Sequence, residues 1–483
     1  MNIRFKFSRF STLVGVLGLV SASLSGCGGG GSSGGGGGPI PSGLPAPGTS
    51  PYTSSRQATA AACQPNPHQS GRARWTVLVY INAANNLQPD SLLNVGQMAS
   101  VGSDGTNLNI VIQWKQANNC PYFSSVNNCG NPSFVGTHRY YILHHSAADV
   151  AAIENGNTSS LEDPQERLPD PSTNVNGTSD MGDWHVLANF IQWGATNYPS
   201  DHLAVVIWDH GSGALPVLNR SAGRKAVTRA VSQDANTGNQ ITTQQLAQAL
   251  AASPRPIDDL IIDCSLQCTA EVAYQVRNVA RVMVASEESP PGTGYPYDTW
   301  LQAIKNGGGT NPCDMGNILI QDTLSTYASP SYTDITQAMV DLSQMGNVAQ
   351  AINAFGGSLL QHVNDQANLI YNARFNAQYF EFPEYKDLYD FADLIRTSPG
   401  VPTDLAQAAF NVENALYGPS GAILAFGHGS ANEAKASGMS IYLPGPQEPS
   451  SVDYSVGYDP VYNGLALAQD APNWPQFLQH QQK

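Results

Sequence analysis

A carboxylate, a thiol and a hydroxyl stand next to one another at Asp263, Cys264 and Ser265. They follow residues 260–262, a short apolar run typical of a strand buried on both faces, and precede helix-compatible spacing over residues 270–276. Open α/β sheets place their chemistry where a buried strand turns into a helix. The triplet can therefore supply a nucleophile, although Asp263 could equally be a simple helix cap.

A histidine occupies the corresponding place after a second buried-strand run, residues 203–208. His210 is followed by Gly211 and Gly213, which let backbone N–H groups face a developing oxyanion. A histidine in one strand-end loop and a thiol or hydroxyl in the next is the arrangement of a nucleophile–base dyad. His210 is therefore the candidate general base, and Gly211 is the candidate oxyanion donor.

Alternating strand and helix patterns begin near residue 74 and would position these two loops. The predicted strands are residues 76–81, 108–113, 140–143, 203–208, 260–263 and 282–285. The predicted helices between them include residues 187–196, 243–251 and 271–276. This alternation predicts an α/β fold, with a mainly parallel sheet and helices on both faces. Later in the chain we expect helices over residues 315–327, 335–363 and 405–415, and strands over 423–426 and 440–443.

Several short motifs, taken in their order along the chain, resemble the clostripain-type cysteine peptidases of the caspase-like fold. The resemblance covers roughly residues 72–478 and rests on residues 75–81, 85–87, 181–183, 190–194, 208–211, 263–274, 285–288, 291–297, 389–391 and 438–444. It implies a caspase-like three-layer sandwich over residues 73–310, extended by a C-terminal α/β half over residues 311–483. It also implies an endopeptidase that cleaves peptides after Arg or Lys.

The resemblance implies a role for each residue of the two loops. His210 would be the general base, Gly211 would stabilise the oxyanion, and Asp263 would bind an Arg or Lys side chain at the base of the pocket. The family pattern Asp-Ala-Cys-Leu, aligned without a gap through the Glu-Val-Ala-Tyr run at residues 271–274, places Ser265 at the nucleophile. Cys264 then falls one residue earlier and points to the other side of the strand.

The serine at this position weakens the expectation of catalysis. Because a serine hydroxyl is un-ionised at neutral pH, peptide hydrolysis by Ser265 should be weak or lost. A one-residue bulge at the strand end would instead present Cys264 as the nucleophile. The alternative function is a non-catalytic surface lipoprotein that keeps the peptidase fold and binds peptides or proteins; a structural lipoprotein with no ligand is a further possibility.

Other ionisable residues have weaker claims to a role. His428 repeats the His-Gly pattern after a strand, but we rank His210 above it because the segment preceding His210 also fits the family. Glu287 and Glu288 are expected to shape or seal the site, with helix capping and surface solvation as the alternatives. No His/Cys spacing matches a structural zinc site. No cofactor is predicted, although the family resemblance leaves calcium open.

The first 27 residues predict a targeting segment that is not part of the fold. A basic start precedes apolar residues 12–20, and Leu24-Ser25-Gly26-Cys27 resembles the bacterial lipobox, in which cleavage leaves Cys27 as a lipidated N-terminus. An ordinary signal peptide is the alternative, and the apolar run is too short for a transmembrane anchor. Residues 28–72, rich in Gly, Ser and Pro, predict a tether. We therefore expect a lipid anchor at the bacterial outer membrane or cell surface.

The other cysteines predict one disulfide and leave the rest open. Cys120 and Cys129 flank an Asn-rich insertion, which suggests a local disulfide in an oxidising compartment. Cys264 and Cys268 lie four residues apart and could be bridged or remain two buried thiols. The sequence assigns no partner to Cys63 or Cys313.

The charge of the chain narrows the class of partner. Among 483 residues only 12% are charged, and the formal net charge is −15. An acidic protein repels the phosphate backbone, so we expect no nucleic-acid partner. The same charge would steer basic peptides or proteins towards the molecule.

Overall fold

A ten-stranded sheet lies at the centre of the computed structural model, which describes residues 51–117, 132–172, 179–215, 231–329, 332, 334–429, 432–445 and 457–481. Its strands are β1 (Tyr52–Thr53), β2 (Ala73–Ala83), β3 (Leu108–Gln116), β4 (Thr137–Tyr141), β5 (Arg167–Leu168), β6 (Ser200–Trp208), β9 (Ile257–Asp263), β10 (Ala280–Ala285), β11 (Thr336–Asp341) and β13 (Ile423–His428). Two small ribbons lie outside it, formed by β7 (Val231–Asp234) with β8 (Asn239–Ile241) and by β12 (Tyr385–Asp387) with β14 (Ser440–Tyr442).

The middle of the sheet is parallel. The strand order is β1-β13-β11-β10-β9-β6-β2-β3-β4-β5. Strands β10, β9, β6, β2 and β3 run parallel to one another, and the pairs on either side of them are antiparallel. The predicted mainly parallel sheet is therefore confirmed.

Helices cover both faces and give three layers. One face carries α1 (Gln88–Val101), α2 (Ala147–Glu154), α6 (Tyr297–Lys305) and α7 (Pro312–Thr326). The other carries α3 (Trp184–Asn197), α4 (Thr243–Leu250), α5 (Ala270–Val276), α8 (Met345–Gln361), α9 (Ala367–Asn376), α10 (Leu388–Arg396), α11 (Thr403–Tyr417), α12 (Ala466–Asp470) and α13 (Asn473–His480). Each face of the sheet thus has its own hydrophobic core, as the continuous apolar runs of the central strands require.

Local sequence accounts for where several of these elements begin. Strand β6 is apolar without interruption over residues 203–208, and each of these side chains is buried because helices cover both faces. Asp183 caps α3 by accepting a hydrogen bond from the N–H of His185. Thr242 and Gln245 form a reciprocal capping box at the start of α4. The predicted helices near residues 187–196, 243–251 and 271–276 are confirmed.

The helix predicted over residues 335–363 is wrong in its first part. Residues 336–341 form β11, which lies between β10 and β13 and pairs antiparallel with both, and the helix α8 begins only at Met345. The short run Ala338–Met339–Val340 is too brief to show a period, so the buried position in the sheet decides its conformation. Because β11 and β13 extend the same sheet, the half of the chain after residue 310 completes the central layer.

The end of the predicted tether belongs to the folded body. Residues 51–72, here called the N-terminal arm, run along the amino ends of β6, β9 and β10. Asn66 donates its side-chain N–H to Asp258 at 3.1 Å, and Arg281 donates to the backbone oxygen of Gln64 at 2.7 Å. Strand β1 pairs with β13, and Arg56 forms a 2.8 Å ion pair with the buried Asp341. The tether prediction therefore fails from about residue 51 onwards, while residues 28–50 lie outside the described part.

A disulfide joins Cys63 in the N-terminal arm to Cys313 at the start of α7. Cys264 and Cys268 are both free and buried, so of the two predicted alternatives, a disulfide or two buried thiols, the second is confirmed. The predicted Cys120–Cys129 disulfide and the lipid site Cys27 lie outside the described residues.

Removing this disulfide should destabilise the protein. The bond closes a loop with a sequence separation of 250 residues. Replacing both Cys63 and Cys313 with serine should lower the free energy of unfolding by about 2–5 kcal/mol, because the unfolded chain gains conformational freedom. Urea unfolding of the oxidised wild type and the double variant measures the difference. Reductant should lower the stability of the wild type and leave that of the double variant unchanged; an identical midpoint for both oxidised proteins would contradict the prediction.

Candidate active site

The parallel pairing of β6 and β9 brings the two predicted loops together. Trp208 pairs with Asp263, and each of these residues ends its strand. The N–H of Asp209 donates a 3.3 Å hydrogen bond to the carbonyl oxygen of Asp263, which continues the pairing into the loops. His210 and Ser265 each lie two residues beyond the last paired position. The structure therefore places the candidate base and the candidate nucleophile side by side at one edge of the sheet.

A glycine after the histidine makes this approach possible. A Cβ atom built on Gly211 would lie 2.2 Å from the carbonyl oxygen of Ser265 and 2.8 Å from its nitrogen. No side chain could occupy that space, so the two loops touch backbone to backbone only because residue 211 is glycine. Gly211 is the residue that the sequence predicted as an oxyanion donor, and it lies against Ser265.

The chain turns sharply immediately after Ser265. Leu266 has a φ of 62°, in the left-handed region that a branched side chain rarely adopts. Its N–H donates to the carbonyl oxygen of Glu288 at 3.3 Å, and the N–H of Cys268 donates to that of Ser286 at 2.8 Å. These bonds to the segment after β10 hold the turn, which leaves Ser265 partly exposed while Cys264 is buried.

Several of the predicted site residues line a small cavity of about 150 Å³. His210, Asp263, Cys264 and Ser265 all line it, together with Pro290 and Pro291. The competing histidine, His428, is not among the described residues that line this cavity. It ends β13, which is separated from β9 by β10 and β11. The predicted ranking of His210 above His428 agrees with this placement.

Asp263 lies buried beside this cavity. Its Oδ2 accepts hydrogen bonds from the N–H of Tyr295 at 3.1 Å and from the hydroxyl of Tyr297 at 2.9 Å. Burial disfavours the ionised form and raises the pKa of Asp263 to about 7, against the opposing effect of these two donors. Ion pairing with a bound cation would restore its charge.

Cys264 faces the core on the other side of the strand. It packs in the same hydrophobic cluster as Leu260 and Ile262, and its thiol lies 3.5 Å from the carbonyl oxygen of Ile207. Alternate residues of a strand point to opposite faces, so Cys264 points away from the side that Asp263 faces. Burial, followed by the charges of Asp209 and Asp263, raises the pKa of the Cys264 thiol, which suppresses the thiolate that a nucleophile needs.

The sequence did not single out two residues that hold His210. The Nε2 atom of His210 lies 2.8 Å from Oδ1 of Asn86, which follows β2. A protonated Nε2 would donate this hydrogen bond to the amide oxygen. The buried Asp209 accepts hydrogen bonds from the N–H of His210 at 2.6 Å and from the side chain of Asn85 at 2.6 Å. The sequence signals for these positions are that they fall in motifs 85–87 and 208–211 of the family resemblance and that polar residues end neighbouring strands there; neither signal indicates contact with His210.

Glu287 and Glu288 follow β10 at the same edge. Glu287 accepts a 2.7 Å hydrogen bond from the N–H of Gly438, and Asp387 accepts 2.8 Å bonds from the hydroxyl of Ser437. Burial, followed by the charge of Asp387, raises the pKa of Glu287 well above its ordinary range. The bond from Gly438 joins the end of β10 to the C-terminal half of the chain.

The described residues contain neither a metal-binding cluster nor a membrane-spanning helix. No group of three or more His, Cys, Asp or Glu side chains there could hold a metal ion. None of the helices in the described ranges combines the length and apolarity needed to span a bilayer.

Comparisons with known proteins agree on one family. The clostripain family profile matches residues 79–480. Clostripain from Hathewaya histolytica is 26% identical over 425 residues, which cover 79% of this chain and 76% of that protein. A secreted C11 cysteine protease from Bacteroides thetaiotaomicron, solved with an irreversible peptide inhibitor, has a TM-score of 0.52 at 19% identity and covers 83% of this chain and 99% of its own. An inactive zymogen C11 protease from Parabacteroides distasonis has a TM-score of 0.53 at 16% identity, with coverage of 83% and 98%.

These similarities bear on fold and family in different ways. The solved structures share the layered α/β arrangement, which confirms the predicted caspase-like fold. The family profile spans both strand-end loops and most of the C-terminal half. The chain therefore belongs to the clostripain family of cysteine proteases.

Proposed function

We propose that this chain binds peptides through an Arg or Lys side chain seated on Asp263, and that Ser265 stands in the nucleophile's place and leaves peptide hydrolysis weak or absent. The observation that carries the proposal is the shared cavity, which is lined by His210, Ser265 and Asp263. The carboxylate would recognise the basic side chain, and the scissile carbonyl would then lie between Ser265 and His210.

The chemistry of the step follows from the groups present. His210 would take the hydroxyl proton of Ser265 as the oxygen attacks the peptide carbonyl, and would later return a proton to the leaving amine. The N–H of Gly211 would face the oxyanion. A serine hydroxyl ionises far less readily than a thiol, so the same geometry would be a much poorer catalyst with serine than with cysteine.

A catalytic Cys264 is the second candidate. It is supported by one observation, which is that Cys264 also borders the cavity. Against it stand the burial of the thiol, its position in the core and its raised pKa. If Ser265 has no hydrolytic activity at all, the first candidate becomes a protein that only binds peptides, at the same site.

Neutralising Asp263 should weaken the binding of basic peptides. Asp263→Asn keeps the size of the side chain and removes its charge, so affinity for an Arg-containing peptide should fall by about 1–3 kcal/mol, the usual value of a charged hydrogen bond. Fluorescence anisotropy with an Arg peptide and its citrulline counterpart measures the effect. Equal binding by wild type and variant would instead make Asp263 a structural carboxyl that holds Tyr295 and Tyr297.

The pH dependence of binding provides the control for this prediction. The carboxyl of Asp263, with its pKa raised to about 7, is mostly neutral below that pH and mostly ionised above it. A cation binds the ionised form, so affinity for the Arg peptide should rise by up to about tenfold between pH 6 and pH 8. That part of the rise should vanish in Asp263→Asn, which has no carboxyl group at this position.

Restoring a thiol at the proposed nucleophile should raise activity. Ser265→Cys places a sulfur beside His210, which can draw off its proton and increase the thiolate fraction. Hydrolysis of Arg and Lys peptides should rise by about 100-fold or more, the scale on which acid–base assistance acts. Cys264→Ala should leave hydrolysis unchanged, and Cys268→Ala is the matched control because Cys268 is also a free buried thiol. Wild-type activity that is lost in Cys264→Ala but kept in Cys268→Ala would falsify the assignment.

We also propose that the protein is anchored by lipid on Cys27, on the evidence of Leu24-Ser25-Gly26-Cys27. Gly28 follows the cysteine in place of an acidic residue that would favour inner-membrane retention, so the outer membrane is the proposed site. Cys27→Ser should release the protein from membranes or stall its processing. Fractionation with detergent phase separation, together with the size of the product, is the measurement, and Ser25→Ala is the control; a Cys27→Ser variant that is processed to the mature size and stays with the membrane as the wild type does would contradict the anchor.

A further inference from the structure

A second and larger cavity begins where the catalytic cavity ends. It has a volume of about 660 Å³ and is lined by Glu288 and Ser289, while the next two residues of the chain, Pro290 and Pro291, line the catalytic cavity. Four carboxylates face it, from Glu288, Asp334, Glu381 and Glu433. Of the described residues that line the two cavities, none is Lys or Arg. Acidic residues therefore predominate over basic ones in the described lining of the larger cavity, and consecutive residues of the chain link its wall to the site where a peptide would react.

Glu288 leaves one oxygen of a buried carboxylate without a partner. The side chain is only 7% exposed. Its Oε1 accepts hydrogen bonds from the N–H groups of Ser289 at 2.7 Å and Glu381 at 3.0 Å, while Oε2 accepts none from any described residue. Burial, together with the charges of Glu381 and Asp334, raises the pKa of Glu288 to about 8 against the lowering effect of the two N–H donors. Oε2 is not among the fully buried side-chain atoms that have no partner, so a donor from a bound ligand could reach it from the cavity.

Two neighbours of Glu288 would complete a site for a basic side chain. The hydroxyl of Ser289 donates to Oε2 of Glu381, which ties the exposed carboxylate of Glu381 to the same wall. Tyr379 lines the cavity with 56% of its surface exposed, and the Nζ atom of Lys386 already lies 4.9 Å from its ring centroid. An exposed aromatic ring packs well against the aliphatic stem of Lys or Arg, and its face attracts a cation.

The cavity is within reach of a peptide bound at Ser265. The carbonyl oxygen of Glu288 accepts a hydrogen bond from the N–H of Leu266, the residue directly after Ser265, at 3.3 Å. Each residue of an extended peptide adds about 3.3–3.6 Å, so a side chain a few positions from the scissile bond could enter the second cavity.

We propose that the acidic cavity is a second subsite for a Lys or Arg side chain of the same peptide, so that the preferred ligands carry two basic residues. The inference rests on the proposed function of the first cavity, since it needs one basic side chain on Asp263. The second basic side chain donates to Glu288 and Glu381 and packs its stem against Tyr379.

A positional scan of peptides tests this subsite. Peptides with one fixed Arg carry a Lys, or the neutral and nearly isosteric norleucine, at each of four positions on either side. Binding is measured by anisotropy, which does not require turnover. In at least one position Lys should tighten binding by about tenfold over norleucine, and Glu381→Gln should remove that gain. Glu154→Gln is the matched control, because it removes the same charge from an exposed residue that lines neither cavity.

The outcomes separate this inference from the proposed function. If Asp263→Asn weakens the Lys and norleucine peptides equally and preserves their ratio, both sites are supported. If Lys gives no gain at any position while Asp263→Asn still weakens binding, the second subsite is wrong and the first stands. If the gain depends on Glu381 but Asp263→Asn has no effect, the proposed function fails and the acidic cavity remains a basic-side-chain site. If Glu154→Gln removes the gain of Lys over norleucine as fully as Glu381→Gln does, the gain comes from general charge attraction and the subsite is wrong.

Discussion

The pairing of β6 with β9 is the contact on which the site depends. Parallel neighbours end at the same edge of a sheet, and the register that sets Trp208 opposite Asp263 leaves the next residues of both loops at the same level. A shift by one residue would move Asp263 to the face now occupied by Cys264 and reverse the surroundings of both. His210, Ser265 and Asp263 are thus brought to the same level by one line of backbone hydrogen bonds.

Buried carboxyl groups accumulate at this edge, and burial raises the pKa of each. Asp209 holds the histidine loop, Asp263 lies behind the cavity, and Glu287 bonds to the C-terminal half. An uncharged carboxyl donates and accepts hydrogen bonds without the full penalty of a buried ion. Such groups can hold loops in place and still become anions when a cation arrives. Under the proposed function, a basic ligand would supply that cation.

The sequence predicted the central layer of the fold and missed parts of its margins. The strand at residues 203–208 is long, apolar and uninterrupted, and only burial on both faces explains such a run. Residues 336–341 are equally buried, but their apolar run is too short to show a period. Their strand conformation is set by their position between β10 and β13. The N-terminal arm is rich in small residues and Pro, so its composition indicates a linker, whereas its docking depends on single contacts such as Asn66 with Asp258.

The residues of the candidate site also divide into those that the sequence predicted and those that it could not. His210, Asp263 and Ser265 follow strands that the sequence shows clearly, and adjacent parallel strands had to bring their ends together. Asn86 and the acidic cavity could not be found in the same manner. The cavity combines Glu288 with Glu381, which are 93 positions apart, and nothing in the local sequence of either residue indicates that the other is near.

The bond between Cys63 and Cys313 makes a covalent ring of the chain between them, and this ring contains the strands β2, β6, β9 and β10 with the two strand-end loops that follow β6 and β9. A protease that cut any one peptide bond inside the ring would open it without freeing a fragment. The two pieces would migrate as one chain until the disulfide was reduced. Nicked and intact molecules would thus have the same mass except for one added water, and only reduction would separate them.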